Sequence, residues 1–191
     1  HTDFLTGVMN RRGMLQRLEA ERHRLAHTGG FLAVMLVDVD HFKQINDTWG
    51  HALGDQALIA VASVLQNSVR DYDLVARWGG EEFVVALFGL TKFDELRVVA
   101  DKLLCAIRQN GVECGETRLD LTYSIGAVMA APQADLDAIV QRADEALYRA
   151  KAEGRDRAVL DCLKVDEPAC GQQQCRNEDK PCPMATKQAE F

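Results

Sequence analysis

The chain of 191 residues is 47% hydrophobic and 27% charged, the usage of an ordinary globular protein with one core and a modest extension, and no apolar run nears the roughly 20 residues that span a bilayer. A formal net charge of −7 argues against a nucleic-acid polymer as partner, since duplex binding needs clustered Lys and Arg, and an anionic substrate would have to be met by local cations or metal. The chain opens on His1 with no basic-then-apolar leader, so it reads as a piece of a longer protein.

From Asn10 to His27, Met14, Leu15, Leu18 and Leu25 recur among Arg and Glu, the pattern of an amphipathic helix, which Thr28-Gly29-Gly30 ends. Phe31 to Val37 is a short continuous apolar run, expected as a strand buried on both faces. It stops at Asp38-Val39-Asp40, and acids at the mouth of a buried strand are costly without partners. Asp47 to Gly54 reads as a polar turn, and Asp55 to Val69 as a helix with Asp55 at its cap or first turn. Leu74 to Trp78 and Phe83 to Phe88 read as strands joined in a hairpin across Gly79-Gly80-Glu81-Glu82. Lys92 to Asn110 is helical, with Cys105 expected as a packed small hydrophobe. Leu119 to Met129 is strand-like with Gly126 interrupting it, Leu136 to Ala152 is a helix closed by Gly154, and Ala158 to Leu160 is a last short strand.

This order predicts an α+β fold with the β-α-β-β-α-β core of ferredoxin-like domains, an antiparallel sheet with helices packed against one face, over residues 1–160. Residues 161–191 carry Pro168, Pro181 and Pro183 among polar residues and read as a tail. Cys162, Cys170, Cys175 and Cys182 crowd that tail, but their spacing is not that of a C-x₂-C zinc pair, and they read as incidental rather than as a metal or disulfide centre.

Function has to come from side chains, because such folds host many activities. Asp38 and Asp40 are two apart where side chains alternate, so both can face one side, and Glu81 and Glu82 stand on the hairpin tip. Any one of these acids alone would be ordinary solvated surface; together they form a set of hard oxygen donors suited to Mg²⁺ or Mn²⁺, which points to a nucleoside triphosphate.

Gly79-Gly80-Glu81-Glu82-Phe83, preceded by Arg77-Trp78, resembles the signature loop of the GGDEF diguanylate cyclase family in its Glu-Glu form. The resemblance continues in family order through Asp3 to Arg12, Asp38 to Asp47, Gly50 to Asp55, Ser124-Ile125-Gly126, Ala146 to Lys151 and Gly154-Arg155. It implies an enzyme that makes cyclic di-GMP from two GTP molecules, with two Mg²⁺ or Mn²⁺ ions per half-site held by Asp38, the Val39 carbonyl and Glu81, and with Glu82 as the neighbouring general base. Lys43, Lys151, Arg155 and the backbone amides of His41 and Phe42 are implied as phosphate contacts, and Asn46 and Asp55, with His51 in the same stretch, as guanine contacts. Gly79 and Gly80 would give room for close ligand approach or take a φ closed to other residues. Arg70 and Asp73 match an R-x-x-D site at which the product inhibits.

The same resemblance implies a homodimer with one GTP per copy, a sensory or regulatory N-terminal region outside this chain, and a cytoplasmic setting. Two other readings stand beside it: a catalytically inactive GTP or cyclic di-GMP sensor, and a different nucleotidyl transferase or purine cyclase built on a related two-metal palm. Such sensors lack metal or loop residues that are intact here.

Overall fold

A computed structural model describes residues 1–114 and 117–163 of the chain. In chain order its elements are Met9–Asn10 (β1), Arg11–Thr28 (α1), Phe31–Val39 (β2), Phe42–Trp49 (α2), His51–Ser68 (α3), Leu74–Arg77 (β3), Glu82–Leu90 (β4), Phe93–Asn110 (α4), Val112–Cys114 (β5), Thr117–Leu119 (β6), Tyr123–Ala130 (β7), Leu136–Ala152 (α5) and Ala158–Leu163 (β8). The main sheet has the order β1-β3-β4-β2-β7-β8, and β5 and β6 form a separate ribbon. The four central strands, β3-β4-β2-β7, pair antiparallel in the ferredoxin-like order, while the outer pairs β1–β3 and β7–β8 are parallel, so the whole sheet is mixed.

β2 is the spine of this sheet. Its residues Ala33, Met35, Val37 and Val39 enter a core shared with α3 and α4, whereas Leu32, Val34 and Leu36 enter a second core shared with α1 and α5. The expectation of helices on one face therefore gives way to helices on both. A strand with no polar face leaves neither side fit to meet water, so both must be covered.

Local chemistry accounts for most boundaries. The Asn10 side chain accepts the Gly13 N–H at 2.9 Å and starts α1, and Gly29 at φ +82° ends it. The expected polar turn at 47–54 is instead the end of α2, a left-handed break at Gly50 (φ +82°) and the first turn of α3. α2 buries only Ile45, too little to give a legible helical period. Asp55 thus sits inside α3, not at its cap; Gly50 is the cap residue and makes no side-chain cap bond. The expected strand at 119–129 also divides, since Leu119 ends β6 and β7 starts at Tyr123.

Cys105 faces outward on α4, away from the buried row Leu96, Ala100, Leu103, Leu104 and Ile107, and its Sγ accepts from Gln109 Nε2 at 3.2 Å. It is not the packed residue its apolar neighbours suggested. β8 runs on to Leu163 and pairs Cys162 with Met129, while Cys170, Cys175 and Cys182 lie outside the described residues. Among the described residues no helix is long and apolar enough to cross a membrane.

α5 lies almost directly on β7. A Cβ on Gly126 would overlap the Ala143 carbonyl oxygen and the Leu147 amide nitrogen and lie 2.7 Å from Leu147 Cα. Glycine inside a strand here marks the close approach of another backbone. Gly126→Ala should push α5 off the sheet at a cost of about 3 kcal/mol, seen as a fall in Tm of roughly 10 °C in thermal unfolding. An unchanged Tm would mean that α5 is not seated on β7 in this way.

Candidate functional site

The site is built where β2 leaves the sheet. Asp38 stands opposite Glu82 on β4 and opposite Ser124 on β7, and strand alternation turns Asp38 and Glu82 toward the α5 side, in line with Leu36 and Val84. Asp38 is only 8% exposed, and its Oδ2 accepts from Lys151 Nζ on the last turn of α5 at 2.9 Å. Glu81 is half-buried in the hairpin turn, where its carbonyl accepts the Val39 N–H at 3.3 Å.

Like charges placed directly across a strand pair repel. Burial pushes the Asp38 carboxyl above the usual range; Lys151 opposes this, and Glu81 and Asp40 add to it. Glu82 is pushed up as well, first by burial and then by Asp38, with Lys151 opposing and Glu81 and Asp144 adding. Lys151 is the cation that bears on both acids, so the strand end carries more negative than positive charge.

Asp40 does not join this group, contrary to the four-acid cage its spacing suggested. Its Oδ1 accepts from Ser124 Oγ at 2.7 Å, and its Oδ2 accepts from Thr122 Oγ1 at 2.8 Å and from the Asp156 N–H at 3.0 Å. Regular pairing of β2 ends at Val39, and the Asp40 carboxylate reaches β7 and the turn after α5 rather than the open side.

The signature turn is closed by Trp78 N–H to Glu82 O at 2.8 Å and Glu82 N–H to Gly79 O at 3.3 Å. Arg77 grips it from the side, donating from Nε (3.0 Å) and Nη2 (2.8 Å) to the Gly80 carbonyl. Its Nη1 meets Asp3 Oδ1 at 3.3 Å, and the same oxygen accepts from Thr6 N–H at 3.0 Å and Thr6 Oγ1 at 2.7 Å. Burial alone would raise the Asp3 carboxyl, but the Thr6 bonds and Arg77 outweigh it and hold Asp3 below the usual carboxylate range. Sequence reading gave Arg77 and Asp3 no role; the available signal was Asp3-x-x-Thr6, the spacing of a side-chain-capped turn. Neither Gly79 nor Gly80 is left-handed, which removes one of the two reasons expected for them. A Cβ on Gly80 would meet nothing within 4 Å, and one on Gly79 would find Glu82 Oε2 at 3.3 Å, so the space in front of the turn is open.

The remaining groups lie on α2, α3 and the end of α5. His41, left-handed at φ +56°, turns the chain from β2 into α2, so that Phe42 and Lys43 follow in its first turn, where amides have no partner within the helix. Asn46 is half-buried on α2, and His51 and Asp55 are exposed on α3. A Cβ on Gly54 would overlap Asn46 Oδ1, so glycine there lets α2 lay Asn46 against α3. Lys151 lies in the last turn of α5, and exposed Arg155 follows that helix.

Arg70 and Asp73 sit before β3, at the opposite end from the signature turn. Asp73 accepts the backbone N–H of Arg70 at 3.1 Å and of Phe88 at 3.2 Å, and burial raises its carboxyl against those bonds. The exposed Arg70 guanidinium donates to Tyr72 Oη at 2.6 Å, beside that ring.

Among the described residues, no three His, Cys, Asp or Glu side chains gather closely enough to hold a metal by themselves. Asp38, Glu81 and the Val39 carbonyl are all hard oxygen donors in a place with excess negative charge. That donor set fits Mg²⁺ or Mn²⁺, ions that take one or two carboxylates and complete their shell with water and substrate phosphates.

The model for the GGDEF domain of diguanylate cyclases matches residues 1–157. Diguanylate cyclase DgcP of Pseudomonas aeruginosa is 42% identical over 156 residues, which cover 82% of this chain and 23% of that protein, so the chain spans less than a quarter of that relative. The crystal structure of diguanylate cyclase SiaD of Pseudomonas aeruginosa, in complex with its activator SiaC, superposes with a TM-score of 0.76 at 38% identity, over 86% of this chain and 61% of that one. The GGDEF domain of DgcB from Caulobacter crescentus, in complex with c-di-GMP, gives a TM-score of 0.76 at 30% identity, over 83% of this chain and 92% of that one. With the match running from the Asp3 turn through the signature hairpin to the Arg155 turn, the chain belongs to the GGDEF family of diguanylate cyclases.

Proposed function

We propose that this chain is the catalytic domain of a diguanylate cyclase, joining two GTP molecules into cyclic di-GMP with release of two pyrophosphates. The observation that carries this reading is the convergence of Asp38, Glu81 and Glu82 beside Lys151, behind a signature turn with open space in front of it. Each new bond forms when the 3′-oxygen of one GTP attacks the α-phosphorus of the other; the hydroxyl proton goes to a base and pyrophosphate leaves. Glu82, its carboxyl raised toward neutrality by burial and by Asp38, is suited to take that proton. Two divalent ions, when bound by Asp38, the Val39 carbonyl and Glu81, supply hydroxyl activation and neutralisation of the triphosphate.

The protein's own cations do the rest of the phosphate work: Lys43, Lys151 and Arg155 offset its charge, helped by the His41 and Phe42 amides. Asn46 and Asp55, with His51 nearby, read the base, because an ionised Asp only accepts and so suits the two donors on guanine's Watson–Crick edge, whereas adenine presents an acceptor at N1. Each copy offers one half-site, so turnover needs two copies face to face, and a region outside this chain controls their encounter. Arg70 and Asp73 take the product: the Arg fork suits guanine's O6 and N7 or a phosphate, and it already faces solvent.

Incubated with GTP and Mg²⁺, the chain should yield cyclic di-GMP and pyrophosphate by mass detection, with specific activity rising with protein concentration. Glu82→Gln should lower turnover roughly 100-fold or more. The same variant should be the more stable at pH 7. Because the folded carboxyl is raised above its unfolded value, the native state binds the extra proton between the two, and wild-type stability falls as pH rises through that window. The Tm gap should therefore close as pH falls toward 4.5. Full activity in Glu82→Gln, or GTP binding without product at every protein concentration, would contradict the reading. For the product site, Arg70→Ala should raise the cyclic di-GMP concentration for half-inhibition by about tenfold, and unchanged inhibition would remove Arg70 from that role.

A further inference from the structure

We propose that Asp40 is a positioning residue for Arg155: it holds the turn that carries Arg155, just after α5, in its left-handed conformation. The assignment rests on the reading of Arg155 as a phosphate contact.

α5 closes with a paired terminal motif, Gly154 N–H to Lys151 O at 3.4 Å and Arg155 N–H to Ala150 O at 3.0 Å, in which Gly154 takes the left-handed position (φ +115°). The chain then stays left-handed for two more residues, Arg155 at φ +62° and Asp156 at φ +48°. Neither is glycine. Side chains seldom adopt this conformation even once, and two in succession persist only where the surroundings hold them.

Two holds meet on Asp156. From inside, Asp40 Oδ2 accepts the Asp156 N–H at 3.0 Å. That carboxylate is itself fixed by Thr122 Oγ1 and Ser124 Oγ, and the Asp40 N–H donates to the Thr122 carbonyl at 3.0 Å. From outside, Arg108 of α4 donates from Nε to both Asp156 carboxylate oxygens (2.9 and 3.1 Å) and from Nη2 to its carbonyl (2.9 Å). The chain then re-enters the sheet as Arg157 O accepts the Ile125 N–H at 2.9 Å.

Asp40 lies two residues beyond Asp38 and one before left-handed His41. One carboxylate, 5% exposed, thereby ties the strand end that carries Asp38 to the turn that carries Arg155. Three donors explain how a buried acid is tolerated there. They leave its position in the chain, two residues from the acidic cluster and 116 from the turn it binds, to be explained by the link itself.

A double-mutant cycle separates this role from plain structural support. Asp40→Asn keeps the shape but turns an amide NH₂ toward donors, and should raise KM for GTP about tenfold, with a smaller effect on kcat. In an Arg155→Ala background, where KM is already raised, Asp40→Asn should add little. If the two effects instead multiply, Asp40 does not act through Arg155 and the assignment falls alone. An unchanged KM in Arg155→Ala would overturn the phosphate role of Arg155 and this assignment with it. Should Asp40→Asn not fold, as judged by its thermal transition, Arg108→Ala releases the same turn from its exposed side and is read through the same cycle, with the same outcomes deciding.

Discussion

A buried carboxylate at the end of a strand that is apolar on both faces is the constraint from which the rest of the site follows. From Phe31 to Val37 β2 carries no charge, so Asp38 stands near the end of the strand, and there it needs a cation. Lys151 provides one at 2.9 Å, but only because α5 is pressed onto β7 at Gly126 closely enough to bring its last turn to the strand end. Glu82, opposite Asp38 in the pairing register, then adds a second acid to the same side. This juxtaposition works against folding, since cross-strand acids repel and both carboxyls are raised. Destabilised groups that converge on open space are a common compromise between stability and activity.

The turns around these acids are tied down rather than loose. Arg77 fixes the Gly80 carbonyl and is itself fixed by Asp3, so the first residues of the chain brace the signature hairpin. On the other side, Asp40 and Arg108 share Asp156. Preorganised donors and charges need no reordering when charge develops, which is what phosphoryl chemistry asks of a protein.

Much of this was legible in the sequence, and the limits were physical. The α5 boundaries, the hairpin around Gly79-Gly80 and the buried character of β2 follow from local periodicity and turn chemistry, and these agree with the structure. α2 is not legible because one buried residue gives no period, and the Gly50 break between two helices looks like any polar turn. Helices on both faces were implicit in a strand without a polar side, yet the ferredoxin-like template suggested one. The place of Asp40 is not legible, because side-chain spacing tells which way a residue can face but not what waits there: its partners Thr122, Ser124 and Asp156 lie 82 to 116 residues away. The residues matching the family motif were readable in place; the bonds that orient them were not.

On the proposed reading, a divalent cation and a guanine nucleotide together complete the acidic strand end. Thermal unfolding with Mg²⁺ and 3′-deoxy-GTP, which binds but has no 3′-hydroxyl to react, tests it directly. At about 100 times the dissociation constant, specific binding contributes about 2.7 kcal/mol, or a Tm rise of roughly 5–10 °C for a chain of this size. This rise should require metal and nucleotide together and be lost in Asp38→Asn. An equal rise with nucleotide alone, or one that survives Asp38→Asn, would contradict it.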